Sequence, residues 1–111
     1  MKTDAAYLHH ILECIRRIEQ NTAEGREVFF ASQTLQDAVL RNLQTMSESA
    51  QRLSAESKAT RPDIPWPRIA GLRNVLVHNY LGIDLEQVWQ IVQRDIPVLK
   101  EAAQAMLRIP S

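Results

Sequence analysis

The chain has 111 residues, the size of one small domain, taken here as residues 1–111. Hydrophobic residues make up 45%, which at this length gives a thin core that a second subunit would help to cover. Thirteen Lys and Arg balance thirteen Asp and Glu, and zero formal charge excludes a general basic coat for nucleic acid while leaving room for a local basic cleft.

Such a cleft has a place in the sequence. Residues 52–78 carry Arg52, Lys58, Arg61, Arg68 and Arg73 against only Glu56 and Asp63. Cys14 is the only cysteine, so neither an intrachain disulfide nor a cysteine metal cluster can form. The segment Met1–Tyr7 has no long apolar stretch, and no later run approaches the ~20 apolar residues of a membrane span. A cytoplasmic protein of a reducing compartment, with no membrane partner, is the expectation.

In chain order, Leu8, Ile11, Leu12, Ile15 and Ile18 recur at helical spacing and predict a first helix from about Asp4 to Thr22. Leu35, Val39, Leu43, Met46, Ala50 and Leu53 form a near-heptad seam, predicting a second helix from about Ser32 to Leu53. Pro62, Pro65 and Pro67 exclude regular helix across 60–67, and a third helix is expected to start near Pro65 to Pro67, where proline suits the first turn. It is expected to end near Leu81, with Gly82 as a left-handed cap. Asp84-Leu-Glu-Gln87 resembles a capping box opening a fourth helix to about Leu107, in which Pro97 forces a kink or a tightened turn. No strand pattern appears. Short connections make the expected fold an all-α antiparallel four-helix bundle.

The stretch with most chemistry is Arg73-Asn-Val-Leu-Val-His-Asn-Tyr80. A guanidinium is charged at any working pH and its planar fork suits phosphate. Imidazole gives or takes a proton near neutrality. Together they can cleave a phosphodiester without a metal, although an Arg–carboxylate pair beside a helix-terminal His is also ordinary architecture. Arg73 and Tyr80 are seven positions apart and share a helical stripe, whereas His78 lies about 140° around the axis from Arg73. The two meet if the last turn distorts before Gly82, or if a second copy supplies the missing group across a twofold axis.

Other candidates carry plainer expectations. His9 and His10 have no second ligand pair at metal spacing and read as solvated or partly packed; no metal and no cofactor is expected. Cys14 reads as packed, and Trp66 and Trp89 as core anchors. Phe29 and Phe30 fit an exposed partner-binding edge or a hydrophobic staple equally well. Glu48 either pairs with a motif arginine or faces solvent. Asn74 and Asn79 flank the motif as RNA contacts, imidazole-positioning groups or helix caps.

The run Leu35–Ser54, together with Ile64-Pro-Trp-Pro-Arg-Ile-Ala-Gly-Leu-Arg-Asn-Val-Leu-Val-His-Asn-Tyr-Leu-Gly-Ile-Asp84, resembles the HepT-like family of the HEPN superfamily. The similarity extends from Tyr7-Leu8 to Ile96-Pro97. The family signature, Arg, four residues, His, one residue, Tyr, falls on Arg73, His78 and Tyr80. The resemblance implies an all-helical homodimer acting as a metal-independent endoribonuclease. It also implies a toxin encoded beside a small MNT-like nucleotidyltransferase antitoxin that adenylylates the motif tyrosine, here Tyr80. The chain departs from many relatives at Gln44-Thr-Met-Ser47-Glu48-Ser49, where Glu-Ile-Ile-Gly-Glu-Ala is common, and at Asn79, where Asp is common. Gln44 thereby lacks a carboxylate that would orient the basic groups. The mechanism expected is attack of a ribose 2′-OH on the adjacent phosphate, with His78 as acid or base and Arg73 on the developing charge. The alternative is a non-catalytic module of the same fold that binds a nucleotidyltransferase; a complete Arg, His and Tyr set favours the enzyme.

Overall fold

The first apolar stripe forms a helix that buries Leu8, Ile11, Cys14, Ile15 and Ile18. In the computed structural model, which describes residues 2–78 and 84–109, this helix is α1 (Lys2–Thr22). It is followed by α2 (Arg26–Ala31), α3 (Gln33–Gln51), α4 (Ala55–Ala59), α5 (Trp66–His78) and α6 (Leu85–Leu107). The described residues are all-α, as the sequence predicts, with two short helices added to the four long ones. None of these helices is long and apolar enough to cross a membrane.

Antiparallel packing of α1 on α3 forms the centre. Asp4 meets Ser54, His10 meets Ser49 and Cys14 meets Thr45, so rising numbers on one helix oppose falling numbers on the other. On α3, Val39, Leu43, Met46 and Ala50 of the predicted seam are buried, and Leu53 continues it just beyond the helix. Outside this pair, α5 packs on α3 and α6 packs on α1. The helix α6 contributes Val88, Ile91, Val92, Ile96, Leu99, Ala102, Ala103 and Met106 to the core. It continues as α-helix through Pro97. The missing proline N–H takes its usual acceptor, the carbonyl four residues back, out of the ladder.

The short helices exist because distant side chains close their ends. Gly25, at φ 100°, makes the turn after α1 in a region that a Cβ disfavours. It opens α2, whose Phe29 is fully buried and packs against Phe30 at 5.8 Å and Trp89 at 5.5 Å between ring centroids. Between the two roles open to Phe29 and Phe30, the structure chooses packing. At the far end of α2, the Gln36 side-chain amide donates to the Phe29 and Phe30 carbonyls, both at 3.1 Å. Trp66 is a core anchor whose indole N–H donates to the carbonyls of Lys58 and Arg61. Ser32, at the expected start of the second helix, accepts from the Leu35 N–H, and the predicted cap Asp84 accepts from the Gln87 N–H. The expected end of the third helix at Leu81 and its Gly82 cap lie outside the described residues.

Asp4 fastens the start of α1 to α4. Its buried carboxylate accepts the Ser54 N–H at 2.9 Å, the Ser54 hydroxyl at 2.7 Å and the Ser57 hydroxyl at 2.8 Å. The Ser54 amide first, then the two hydroxyls, hold its pKa below the usual carboxylate value against the opposing effect of burial. A depressed folded-state pKa means that this stabilisation is complete above the unfolded value of roughly 4 and is lost as pH falls through the folded value. Asp4→Ala is expected to cost roughly 2 kcal/mol near neutrality, the scale of a charged hydrogen-bonded group removed from its donors. Urea titrations at pH 7 and across acid pH should show this loss at pH 7 and little difference between the proteins at the acid extreme. Equal stability at pH 7 would remove Asp4 from this role.

Candidate functional site

The motif helix starts where the Pro-rich segment ends. Ile64, Trp66, Ile69 and Leu72 are buried and seat the first half of α5 against the core. Its backbone is α-helical from Trp66 through His78, so Arg73, Asn74 and His78 all lie on one regular helix. Across the five positions from Arg73 to His78 the backbone rises about 7.5 Å and turns about 140°. The last turn before Gly82, where a distortion would join them within one chain, lies outside the described residues. Asn79 and Tyr80 lie outside the described residues.

Next to α5, α3 carries the positions at which the chain departs from its look-alikes. Ser47 is buried and donates to the Gln44 carbonyl at 2.8 Å. Gln44 is half-buried. Glu48 is also half-buried and is engaged rather than free, so the solvent-facing reading of this residue is set aside.

The positive charge around the motif is partly spent on the fold. Arg61 pairs with Asp63 at 2.8 Å and with Glu101 at 2.7 Å, and Arg68 pairs with Asp95 at 3.1 Å. Arg68 meets Asp95, while Leu72, further along α5, lines one groove with Gln87 and Ile91, earlier on α6, so the two helices run antiparallel as a hairpin. The two approach each other less closely than either approaches its other neighbour, which leaves a groove of about 390 Å³ along the hairpin. Arg68, Gly71 and Leu72 line it from α5, and Gln87, Gln90, Ile91 and Arg94 from α6. Sequence reading missed this second set. Its signal was the polar stripe Gln87, Gln90, Arg94 at spacings of three and four, opposite the apolar stripe of the same helix.

Elsewhere, His10 Nδ1 and the Ser49 hydroxyl share a hydrogen bond at 2.5 Å, and the Cys14 thiol lies 3.3 Å from the Thr45 hydroxyl. Burial pushes the Cys14 pKa up, despite the opposing Thr45 hydrogen bond. This α1–α3 cluster therefore holds an unreactive thiol and a polar seam. No group of three or more His, Cys, Asp or Glu suited to a metal ion occurs among the described residues.

The all-α bundle, with Arg73 and His78 five positions apart on one helix, is consistent with the helical HEPN fold. Residues 11–106 match the family model described as Ribonuclease HepT-like. The chain belongs to the HepT-like ribonuclease family. It is 38% identical to the "Probable ribonuclease HepT" of Thermococcus cleftensis, over 85% of this chain and 86% of that one. It is 33% identical to a "Putative RNase" of Caldanaerobacter subterraneus, over 97% of both. A Methanocaldococcus jannaschii protein named "Gamma-glutamylcyclotransferase and putative RNase" is 43% identical over 86% of this chain, which spans only 43% of that protein. No solved structure matches the chain significantly.

Proposed function

We propose that this protein is a metal-independent endoribonuclease, the toxin of a toxin–antitoxin pair whose partner is an MNT-like nucleotidyltransferase. The observation that carries the reading is the Arg73, His78, Tyr80 spacing on and just after α5, inside a chain that matches HepT-like ribonucleases over 11–106. In the reaction, His78 accepts the proton of a ribose 2′-OH. That oxygen bonds to the adjacent phosphorus, and the 5′ oxygen departs with a proton. The products are a 2′,3′-cyclic phosphate and a free 5′-OH. Arg73 stabilises the extra charge on the phosphorane. The obligatory 2′-OH restricts the substrate to RNA.

A homodimer belongs to the same proposal. The regular turn of α5 through His78 supports it, because two copies can bring Arg73 of one near His78 of the other and supply both an acid and a base.

The test is RNA cleavage by the purified protein in excess EDTA, with the termini identified by mass spectrometry and the assembly by sedimentation. Cyclic phosphate ends from a dimeric protein are expected. A requirement for magnesium, or 5′-phosphate products, would overturn the chemistry; a monomer at micromolar concentration would overturn the shared site.

A further inference from the structure

The α5–α6 groove has features that the bundle itself does not use. Gly71 stands inside α5, where glycine costs a helix about 1 kcal/mol relative to alanine. Among the described residues, no atom beyond its own helix backbone and immediate neighbours lies within 4 Å of where its Cβ would be, so their packing does not require this glycine. Opposite it, Arg94 is exposed and has no carboxylate partner among the described residues. Arg68 has one carboxylate, Asp95, and among the described residues no carboxylate lines the groove. Gln87 and Gln90 are exposed and bring amides that both donate and accept. The groove is thus cationic at one end, amide-lined at the other, and floored by a residue without a side chain.

Its direction matters as much as its chemistry. The Arg68–Asp95 contact fixes the antiparallel register, so Arg94 and Arg68 mark the end away from the motif, while Gln87 lies toward the α5 terminus that carries His78. Ten residues separate Arg68 from His78, a rise of about 15 Å. A strand whose scissile phosphate lies at His78 therefore reaches Arg94 with a different phosphate.

We propose that this groove binds the RNA strand flanking the cut bond, with Arg94 on a backbone phosphate, Arg68 beside it, and Gln87 and Gln90 on base edges. The open face at Gly71 admits the sugar-phosphate chain. This assignment rests on the ribonuclease reading and names where its substrate runs. Single-stranded nucleic acid suits a positive groove of this kind, and glutamine amides can read base edges. A second copy of the chain suits it less: an isologous contact centred here would bring two unpaired Arg94 side chains together.

The experiment measures binding of a short single-stranded 2′-O-methyl RNA, which lacks the attacking hydroxyl, by fluorescence anisotropy across a salt series. Arg94→Ala is expected to weaken binding about fivefold to tenfold, the upper part of the range of an ordinary hydrogen bond, as suits a solvent-screened contact on an accessible surface. It should also flatten the salt dependence by about 0.7 in log–log slope, the loss of one phosphate contact on a single strand. Arg108→Ala removes the same charge about 20 Å further along α6 and should do neither. Gly71→Leu should weaken binding with the salt slope unchanged, because it fills the groove without touching charge. Its helix content, read by circular dichroism, should match the parent. Cleavage by the parent together with undiminished binding by both Arg94→Ala and Gly71→Leu would overturn the groove while leaving the ribonuclease standing. Arg94-dependent binding by a parent that never cleaves would sustain the groove and sink the ribonuclease. A change from dimer to monomer in Gly71→Leu would assign the groove to a second copy and overturn the proposal.

Discussion

Replacing His78 by alanine is expected to reduce RNA cleavage to background. A positioned acid–base group contributes about 10² to 10⁴ in rate, and the transesterification has no other proton acceptor of suitable pKa in the motif. Arg73→Ala should lose about 10² to 10³, because a preorganised charge facing the phosphorane is removed. Arg73→Lys should recover only part of that, since an ammonium keeps the charge and lacks the planar fork. Folding should survive all three changes. The buried core is assembled by α1, α3, α6 and the start of α5, where Ile69 and Leu72 already anchor the motif helix. Thermal melts and initial cleavage rates on the same preparations separate the two effects. Full cleavage by a rigorously purified His78→Ala protein would end the mechanism, and a parent that binds its partner but never cleaves would favour a non-catalytic binding module.

The second large effect concerns control. Incubation with an MNT-like nucleotidyltransferase, ATP and magnesium is expected to place one AMP on Tyr80 and abolish cleavage. The phenolic oxygen attacks the α-phosphorus of ATP and pyrophosphate leaves, so the product is a tyrosyl phosphodiester. Tyr80 follows His78 by two positions and Arg73 by seven in the sequence, so the modification is expected to set an anion and a nucleoside near the motif. The new phosphate competes for Arg73, and its bulk fills the space that RNA must enter. Intact mass and peptide sequencing read the modification, and cleavage of the same sample reads its consequence. Modification at another residue in Tyr80→Phe, or full cleavage by the modified parent, would refute this form of neutralisation.

The parts of this fold that were legible in the sequence are those with a repeating pattern. The apolar stripes of the first two long helices, the Asp84 cap and the Pro-rich break before Trp66 all speak within a few residues of themselves. The short helices α2 and α4 do not: six and five residues are too few for a period, and their stability comes from elsewhere. Gln36 closes α2 from the next helix, and Asp4 holds Ser54 from fifty residues away. The same logic divides the site. Arg73 and His78 are close in sequence and could be found there. Arg94 joins the neighbourhood only because the hairpin folds α6 back along α5; the polar stripe Gln87, Gln90, Arg94 marks a solvated face but not which helix lies beside it. The apparent cluster of charge at 52–78 was likewise an incomplete guide, since carboxylates at Asp95 and Glu101 engage two of its arginines.

The burial of Cys14 has a practical consequence for handling and for measurement. With 3% of its surface exposed and its ionisation suppressed by burial, the sole thiol of the chain is a poor target for peroxide, heavy metals or a maleimide while the protein is folded. No redox signal can enter the fold through it without first opening the α1–α3 seam. That makes the cysteine a counter placed at the centre of the bundle: each molecule labelled by a thiol reagent in native buffer is one that has opened there, and the labelling rate reads the stability of the innermost pair of helices without denaturant.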